Sequence, residues 1–312
     1  MTSFRSRSSR PEGGRSATGG GPAGATMSRG ASMTSSVQPN SAAEVFEQAA
    51  AHYDRTGVSF FGPFGAELVR RAGIRPGDRV LDVGCGRGAV LFPAADATGP
   101  TGRVTGIDLA PAMVALTAED VTRAGLTHVD VRVGDAQRPD FPPGSFDAVL
   151  AGLVVFLLPE PEQALRAYGR LLRPSGRLAI STFAAHDPAF VAAMDALAAH
   201  LPPDWQRPAP AADPFADQQA ITATLAAVGL TVATIGEHRV ESRFRDIDHW
   251  TEWMWSHGGR ALLRHIPADR LDAATADAAR ALEPARVPGG GLTLTTAVRM
   301  TVAVPRAGVP SS

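Results

Sequence analysis

Short apolar runs and longer stretches of helical period alternate through the middle of this 312-residue chain. Between residues 79 and 181 lie five apolar runs of strand length, bounded by Gly, Asp, Pro and Ser. Segments near 88–97, 111–124 and 161–172 carry apolar residues at helical spacing between them. Strand and helix in alternation predict a parallel sheet flanked by helices, because a strand can rejoin a sheet in parallel only through a crossover. A helix over about 64–72 precedes the first strand, and a helix over 217–228 feeds another strand at 230–236. The last strand reads Leu292-Thr-Leu-Thr-Thr-Ala-Val-Arg-Met-Thr-Val302.

Two stretches fall outside this alternation. Residues 183–216 contain a small Ala-rich helix and a Pro-rich turn, and residues 237–290 contain three of the four tryptophans. Insertions after strand ends are where doubly wound folds build binding sites, so both are expected to form a mainly helical cap together with the helices of 41–75. The core is then 76–182 with 217–236 and the strand 291–303, followed by a tail at 304–312. Residues 1–40 are Ser, Gly, Arg, Ala and Thr with almost no large apolar residue, too little to offset the entropy of ordering, and are expected to be disordered. Their five arginines and single acid resemble a transit peptide, yet Met27 and Met33 offer later starts and an over-extended reading frame accounts for the segment better. Ser41 with Glu44 three residues on predicts a capping box where order begins.

Composition narrows the chemistry. A net charge of −1 gives no global field for nucleic acid or an anionic membrane. No apolar run reaches the length of a bilayer span. The single cysteine, Cys85, excludes an intrachain disulfide and a cysteine-cluster metal site, and the expectation is a cytoplasmic enzyme, monomer or homodimer, that binds neither nucleic acid nor membrane. All basic residues other than His are Arg.

The chemistry is carried by Val80-Leu-Asp-Val-Gly-Cys-Gly-Arg-Gly88, a buried strand ending in an acid and a glycine-rich turn. Gly84, Gly86 and Ala89 alone would also satisfy a dinucleotide fingerprint. The following segments decide between them. Gly102-Arg-Val-Thr-Gly-Ile-Asp108 ends in a second acid, and Leu109-Ala-Pro-Ala-Met113 opens a helix with Pro111 in its first turn. Val129-Asp-Val-Arg-Val133 leads to Gly134-Asp135-Ala136, and later come Gly144-Ser-Phe-Asp-Ala-Val-Leu-Ala-Gly152 and Leu171-Leu-Arg-Pro-Ser-Gly-Arg-Leu178.

In this order the segments resemble the motifs of class I S-adenosylmethionine (SAM) dependent methyltransferases, specifically over 79–181 and more loosely over 43–303. The resemblance is to the small-molecule branch, similar to ubiquinone and menaquinone biosynthesis enzymes. Ser256-His-Gly-Gly-Arg-Ala-Leu-Leu and the Trp-rich insertion look closer to actinobacterial natural-product methyltransferases. It implies an α/β, Rossmann-like, seven-stranded and mostly parallel sheet with helices on both faces, the last strand being antiparallel. It further implies SAM as the methyl donor, S-adenosylhomocysteine as the product, and a small-molecule acceptor.

Carried over from that family, Gly84, Cys85, Gly86 and Gly88 would pass backbone under the donor. Asp82 would lie near its ammonium and Asp108 would accept both ribose hydroxyls. Leu109 and Met113 would sandwich the adenine, with Asp135 and the Ala136 amide on its edge; Asp135 is also suited to a plain turn. Gly152 and Leu153 would lie beside the methyl, and Tyr53 would either close over the donor or pack between helix and sheet. Many relatives carry polar or His-rich sequence after the fourth strand, whereas this chain reads Leu-Val-Val-Phe-Leu-Leu-Pro.

Phe60, Phe61, Phe156, Trp250, Trp253 and Trp255 are candidates to line a slot for a flat, apolar acceptor, although most of them, each Trp included, read first as core. Tyr53, His186, Glu237, His249 and His257 are the candidates for a general base, with His238 beside them. None has a recognisable spacing. No His-x-x-x-His pair or carboxylate cluster suggests a metal. An aromatic cap without an evident base leans toward C-methylation of an indole-type ring, with O- or N-methylation of a phenol, quinol or amine open. A dinucleotide-dependent oxidoreductase, or a SAM-binding fold repurposed for another reaction, is the alternative from another class.

Overall fold

The computed structural model describes residues 42–203, 205 and 213–306. The segment 1–40 expected to be disordered, the Ser41 cap and most of the Pro-rich turn lie outside the described residues. The chain opens with helices α1 (Ala42–Ala49) and α2 (Phe61–Ala72), and then enters the sheet with β1 (Arg79–Val83). There follow α3 (Leu91–Thr98), β2 (Arg103–Asp108), α4 (Pro111–Arg123), β3 (Val129–Val133), β4 (Phe146–Gly152), α5 (Pro161–Leu171) and β5 (Leu172–His186). The remainder is α6 (Pro188–Ala198), α7 (Gln218–Ala227), β6 (Leu230–Phe244), α8 (Ile247–Trp255), α9 (Arg260–Leu263), α10 (Leu271–Ala281) and β7 (Leu292–Pro305).

The seven strands form one sheet in the order β3-β2-β1-β4-β5-β7-β6. Strands β3 through β5 pair in parallel, and β7 runs antiparallel between β5 and β6. This is the Rossmann-like, mostly parallel sheet implied by the sequence resemblance. Successive strand residues point to opposite faces, so the sheet feeds two cores. Val80, Ala148 and Leu150 pack with Phe64 and Leu68 of α2, Leu91 of α3 and Val121 of α4. Their neighbours Leu81, Val149 and Ala151 pack on the other face with Leu165 and Tyr168 of α5 and with Ile221 of α7. Near-continuous apolar runs in β1 and β4 are what burial on both faces demands.

Strand order reverses between β1 and β4, and the crevice beyond their carboxyl ends is where such sheets accept ligands. Several boundaries depart from those read in the sequence. Helix α3 starts at Leu91 rather than 88, because Gly88 adopts φ +85° and holds the chain in a turn. Strand β6 continues to Phe244, past the expected end at 236, and β5 reaches His186. Glu237, Arg239, Glu241 and Arg243 alternate with less polar positions, and their charge hides a strand paired residue by residue with Leu292–Arg299. The cap, built from α6, α8, α9 and α10, therefore stands on strand extensions, and α10 packs against α6. Asp187, Asp217 and Asp246 cap α6, α7 and α8 by accepting the backbone N–H of Ala189, Ala220 and His249.

Candidate active site

The crevice at the ends of β1 and β2 is built by backbone rather than by side chains. Gly84, Gly86 and Gly88 adopt φ of +66°, +48° and +85°, the left-handed region that glycine enters without strain. A Cβ at Gly84 would lie 2.5 Å from Val154 Cγ2, and one at Gly88 2.4 Å from Phe92 Cε2. A Cβ at Gly86 would meet nothing nearer than Tyr53 Cε1 at 4.0 Å, which leaves room above that residue. The Cys85 N–H donates to Ile107 O at 2.9 Å, and its buried side chain lies against Gly106.

Asp108 closes the turn from β2. Its Oδ2 accepts the Gly86 N–H at 2.8 Å and its Oδ1 accepts the Ala110 N–H at 2.9 Å, and the Leu109 N–H also points to this carboxylate. Burial raises its pKa against those hydrogen bonds. Asp82 is 1% exposed, and its Oδ2 has no hydrogen-bond partner among the described residues. Burial, and then the nearby Asp108, push its carboxyl well above the usual range. A buried acid with an unpartnered oxygen, beside a half-buried carboxylate, calls for a ligand that brings cationic or hydroxyl donors.

Leu109 exposes 51% of its surface at the edge of this crevice. Met113, expected on the other side of an adenine, is 1% exposed and packs with Ala50 and Ala110 between α1 and α4. Asp135 is exposed and its Oδ1 accepts the Gln137 N–H at 2.8 Å in a turn, while its other oxygen has no hydrogen bond among the described residues. Ala136 is buried, and its carbonyl accepts the Tyr168 hydroxyl at 2.7 Å. Leu153 has φ +53°, a strained value for a side-chain-bearing residue, and is held there by its N–H donating to the buried Ser181 Oγ at 2.9 Å. A Cβ on the preceding Gly152 would lie 2.6 Å from Val90 Cγ2.

Beyond Tyr53 and Leu153 opens a cavity of about 540 Å³. Its wall includes Phe46, Phe60, Phe61, Phe156, Phe183, Phe190, Trp205 and Trp253, and among the described residues no Arg or carboxylate lines it. Phe61 stacks on Tyr53 with ring centres 4.8 Å apart. The Tyr53 hydroxyl is driven above its ordinary pKa by burial, then by Asp54 and Asp108, and it is no ready base. Of the six aromatic residues expected at the acceptor site, Phe60, Phe61, Phe156 and Trp253 line the cavity. Trp250 does not, being 1% exposed in the core, and Trp255 instead lies under the Arg260 guanidinium. Helical spacing placed Trp250 and Trp253 on one face, but a face three residues wide meets both core and cavity.

The base candidates separate in the same way. His249 donates to or accepts from partners at both ring nitrogens, Arg245 N at 3.2 Å and Thr56 O at 2.8 Å, and serves to join α8 to the loop before α2. Glu237 lies outside the cavity, where its carboxylate approaches Arg239, and His238 packs beside Phe64. His186 and His257 line the cavity. His186 is sandwiched between Phe183 and Phe190 at 4.8 and 5.2 Å, and burial lowers its pKa. The His257 Nδ1 accepts the Gly259 N–H at 3.0 Å, and burial pulls its pKa down to about 3.

Arg87, in the middle of the glycine turn, drew no attention in the sequence. Its Nη1 donates to Ala50 O at 2.9 Å and its Nη2 to Asp120 Oδ2 at 2.6 Å, tying the turn to the end of α1 and to α4. Glu47 of α1 accepts the Ala112 N–H at 2.8 Å, a second tie between the same helices. An arginine set between Gly86 and Gly88 of the ligand-facing turn was the available signal. Phe190, Met194 and Trp205 were also missed, because their segment reads as an Ala- and Pro-rich connection.

Fold and site together define a class I, Rossmann-like methyltransferase. A methyltransferase domain family model matches residues 81–180. Nocamycin O-methyltransferase of Saccharothrix syringae is 38% identical over 263 residues, 80% of this chain and 94% of that protein. Aklanonic acid methyltransferase DauC of a Streptomyces species is 40% identical over 182 residues, covering 56% of this chain and 83% of that one. The chain therefore belongs to the class I SAM-dependent methyltransferase family.

Solved structures agree on the fold: a methyltransferase from Bacillus halodurans superposes with TM-score 0.53 at 15% identity, covering 78% of this chain and 99% of that one. The [4+2]-cyclase SpnF does so with TM-score 0.50 at 20% identity over 79% of this chain and 82% of its own. SAM is the donor that this fold implies, and the paired carboxylates and the open floor over Gly86 fit its ammonium, ribose and sugar-to-sulfur link. Among the described residues no group of His, Cys, Asp and Glu could hold a metal ion, and no helix is long and apolar enough to cross a membrane.

Proposed function

We propose that this protein transfers a methyl group from SAM to an oxygen of a flat, polycyclic natural-product acceptor held in the aromatic cavity. The carrying observation is that cavity: about 540 Å³, walled by aromatic rings, and opening at Leu153 beside the glycine turn. Similarity to an O-methyltransferase across most of both chains, and to an enzyme named for an acid, turns the reading toward oxygen and away from an indole carbon. An indole acceptor has no support beyond the aromatic wall itself.

SAM supplies a methyl carbon on a positively charged sulfur. Asp82 would take its ammonium on the open Oδ2, Asp108 its ribose hydroxyls, and Leu109 one face of its adenine, with Asp135 and the Ala136 amide at the ring edge. Gly84, Cys85, Gly86 and Gly88 would form the floor, and Gly152 and Leu153 would stand beside the methyl. Tyr53, stacked on Phe61 and near Gly86, separates the two compartments. In-line displacement needs alignment more than covalent help. An anionic oxygen attacking a sulfonium loses charge on the way to the transition state, so an apolar, aromatic wall favours the step.

Deprotonation of a phenol or enol would fall to His186. It lines the cavity and its ring makes no hydrogen bond among the described residues, so a ring nitrogen can accept a proton. A carboxylic acid acceptor, already ionised, would need no base. The reading is tested by transfer of labelled methyl from SAM to a panel of polycyclic aromatic acids, phenols, quinols and indoles, read by mass spectrometry. Label on oxygen is expected; label only on a ring carbon, or none with SAM bound, overturns it. His186→Ala should slow phenol methylation by about 100-fold, within the range of general-base assistance, and leave a carboxylic acid acceptor nearly unaffected.

A further inference from the structure

The segment Ser256-His-Gly-Gly259 after α8 has a use that the methyl transfer itself does not require. Its backbone is shaped around one imidazole. The Gly259 N–H donates to His257 Nδ1 at 3.0 Å. A neutral imidazole with Nδ1 accepting carries its proton on Nε2. That Nε2 is buried in the cavity wall and has no partner among the described residues. Trp253 meets the ring edge-on at 4.1 Å and Phe61 at 6.0 Å, so aromatic edges hold the imidazole on two sides.

The turn that makes this contact is specified closely. Ser256 Oγ donates to Trp253 O at 2.7 Å and ends the helix there. A Cβ on Gly259 would lie 2.5 Å from Met254 Cε and 2.9 Å from Met254 O, so only glycine brings its N–H this near to the ring. An N–H left unpaired in an apolar wall is costly, and that cost becomes selectivity when a ligand brings the missing oxygen.

We infer that His257 is an acceptor-positioning residue, a fixed neutral N–H donor that takes an oxo group of the acceptor and so selects oxygenated polycyclic compounds over hydrocarbon ones of the same shape. This rests on the reading of the cavity as the acceptor site. It makes His257 a hook rather than a base, since its free nitrogen holds a proton and its other nitrogen is occupied. The division of labour leaves proton removal to His186 on the neighbouring wall.

The test uses the full chain loaded with S-adenosylhomocysteine and two flat tricyclic probes, 9-fluorenone and fluorene, which differ by one carbonyl. Calorimetry on the wild type is expected to favour the ketone by about tenfold, the worth of one buried hydrogen bond. His257→Phe should bring the two probes to parity, and His257→Gln, which offers an amide N–H in a similar place, should restore most of the preference. Unchanged S-adenosylhomocysteine affinity in each variant shows that the fold is intact. Ring ¹⁵N shifts of His257 in the wild type should report a protonated Nε2 and a bare Nδ1. A ketone preference that survives in His257→Phe, or the opposite tautomer, overturns the inference. Failure of methyl transfer to any oxygen would sink the proposed reaction while leaving this preference measurable.

Discussion

Asp108 holds the Gly86 N–H on its Oδ2 at 2.8 Å, so the acid that ends β2 also sets the turn that follows β1. The same side chain shapes the floor of the donor crevice and would grip the donor. Its removal therefore acts twice on one site.

Asp108→Ala is expected to weaken SAM binding by at least about 100-fold, since two charge-assisted hydrogen bonds to ligand are lost at roughly 1.5–3 kcal/mol each. The chain should stay folded, because burial already disfavours the charge. Calorimetric titration with SAM, beside a thermal melt of the free protein, checks both statements. Unchanged affinity would remove Asp108 from the donor site.

Gly84 and Gly86 look alike in the motif and should fail differently. Gly84→Ala drives a methyl to 2.5 Å from Val154 at positive φ, so the melting temperature should fall with SAM affinity. Gly86→Ala meets no protein atom closer than 4.0 Å, so stability should change by only about 1–2 kcal/mol, the backbone cost of a left-handed alanine, while SAM binding is lost to the methyl on the floor. Melting curves with and without SAM separate the two.

Trp250 and Trp253 sit three residues apart with different tasks. Trp250→Ala should cost about 3–5 kcal/mol of stability, as for other large buried aromatics, measured by denaturant unfolding. Trp253→Phe keeps most of the packing but changes the cavity wall, so it should raise the acceptor KM several-fold with SAM affinity unchanged.

Asp54, at φ +54°, has its pKa raised to about 6, chiefly by burial and against the lowering pull of Arg55 and Arg87. A carboxyl whose folded pKa exceeds its unfolded value binds its proton more tightly when folded. It therefore subtracts stability above pH 6, and the loss is relieved as pH falls through 6 toward 4. Asp54→Asn, neutral and tolerant of the left-handed region, should melt higher than wild type at pH 8, with the gap closing by about pH 4. Melts of the SAM-free protein across that range test the sign. A constant gap would assign the gain to the backbone instead.

Much of the crevice at the ends of β1 and β2 was legible in the chain. Strand-length apolar runs ending in Asp82 and Asp108, with glycines at set intervals, are local patterns, and local sterics alone demand glycine where φ is positive. Alternation of strands and helices carried the parallel sheet and its crevice for the same reason. The aromatic cavity was not legible, because its wall is assembled from α2, β5, α6, α8 and α9, segments far apart in the chain whose aromatic residues read equally well as core.

Only tertiary packing decided that Trp253 faces the cavity while Trp250 fills the interior, and that Met113 lies beneath α1. Likewise, nothing in the order of residues distinguishes His249, satisfied at both nitrogens, from His257, held at one. The sequence determined which positions could approach a ligand, since that depends on backbone freedom residue by residue. Which side chains do approach it was settled by long-range contacts, whose burial and hydrogen bonding no single stretch of chain contains.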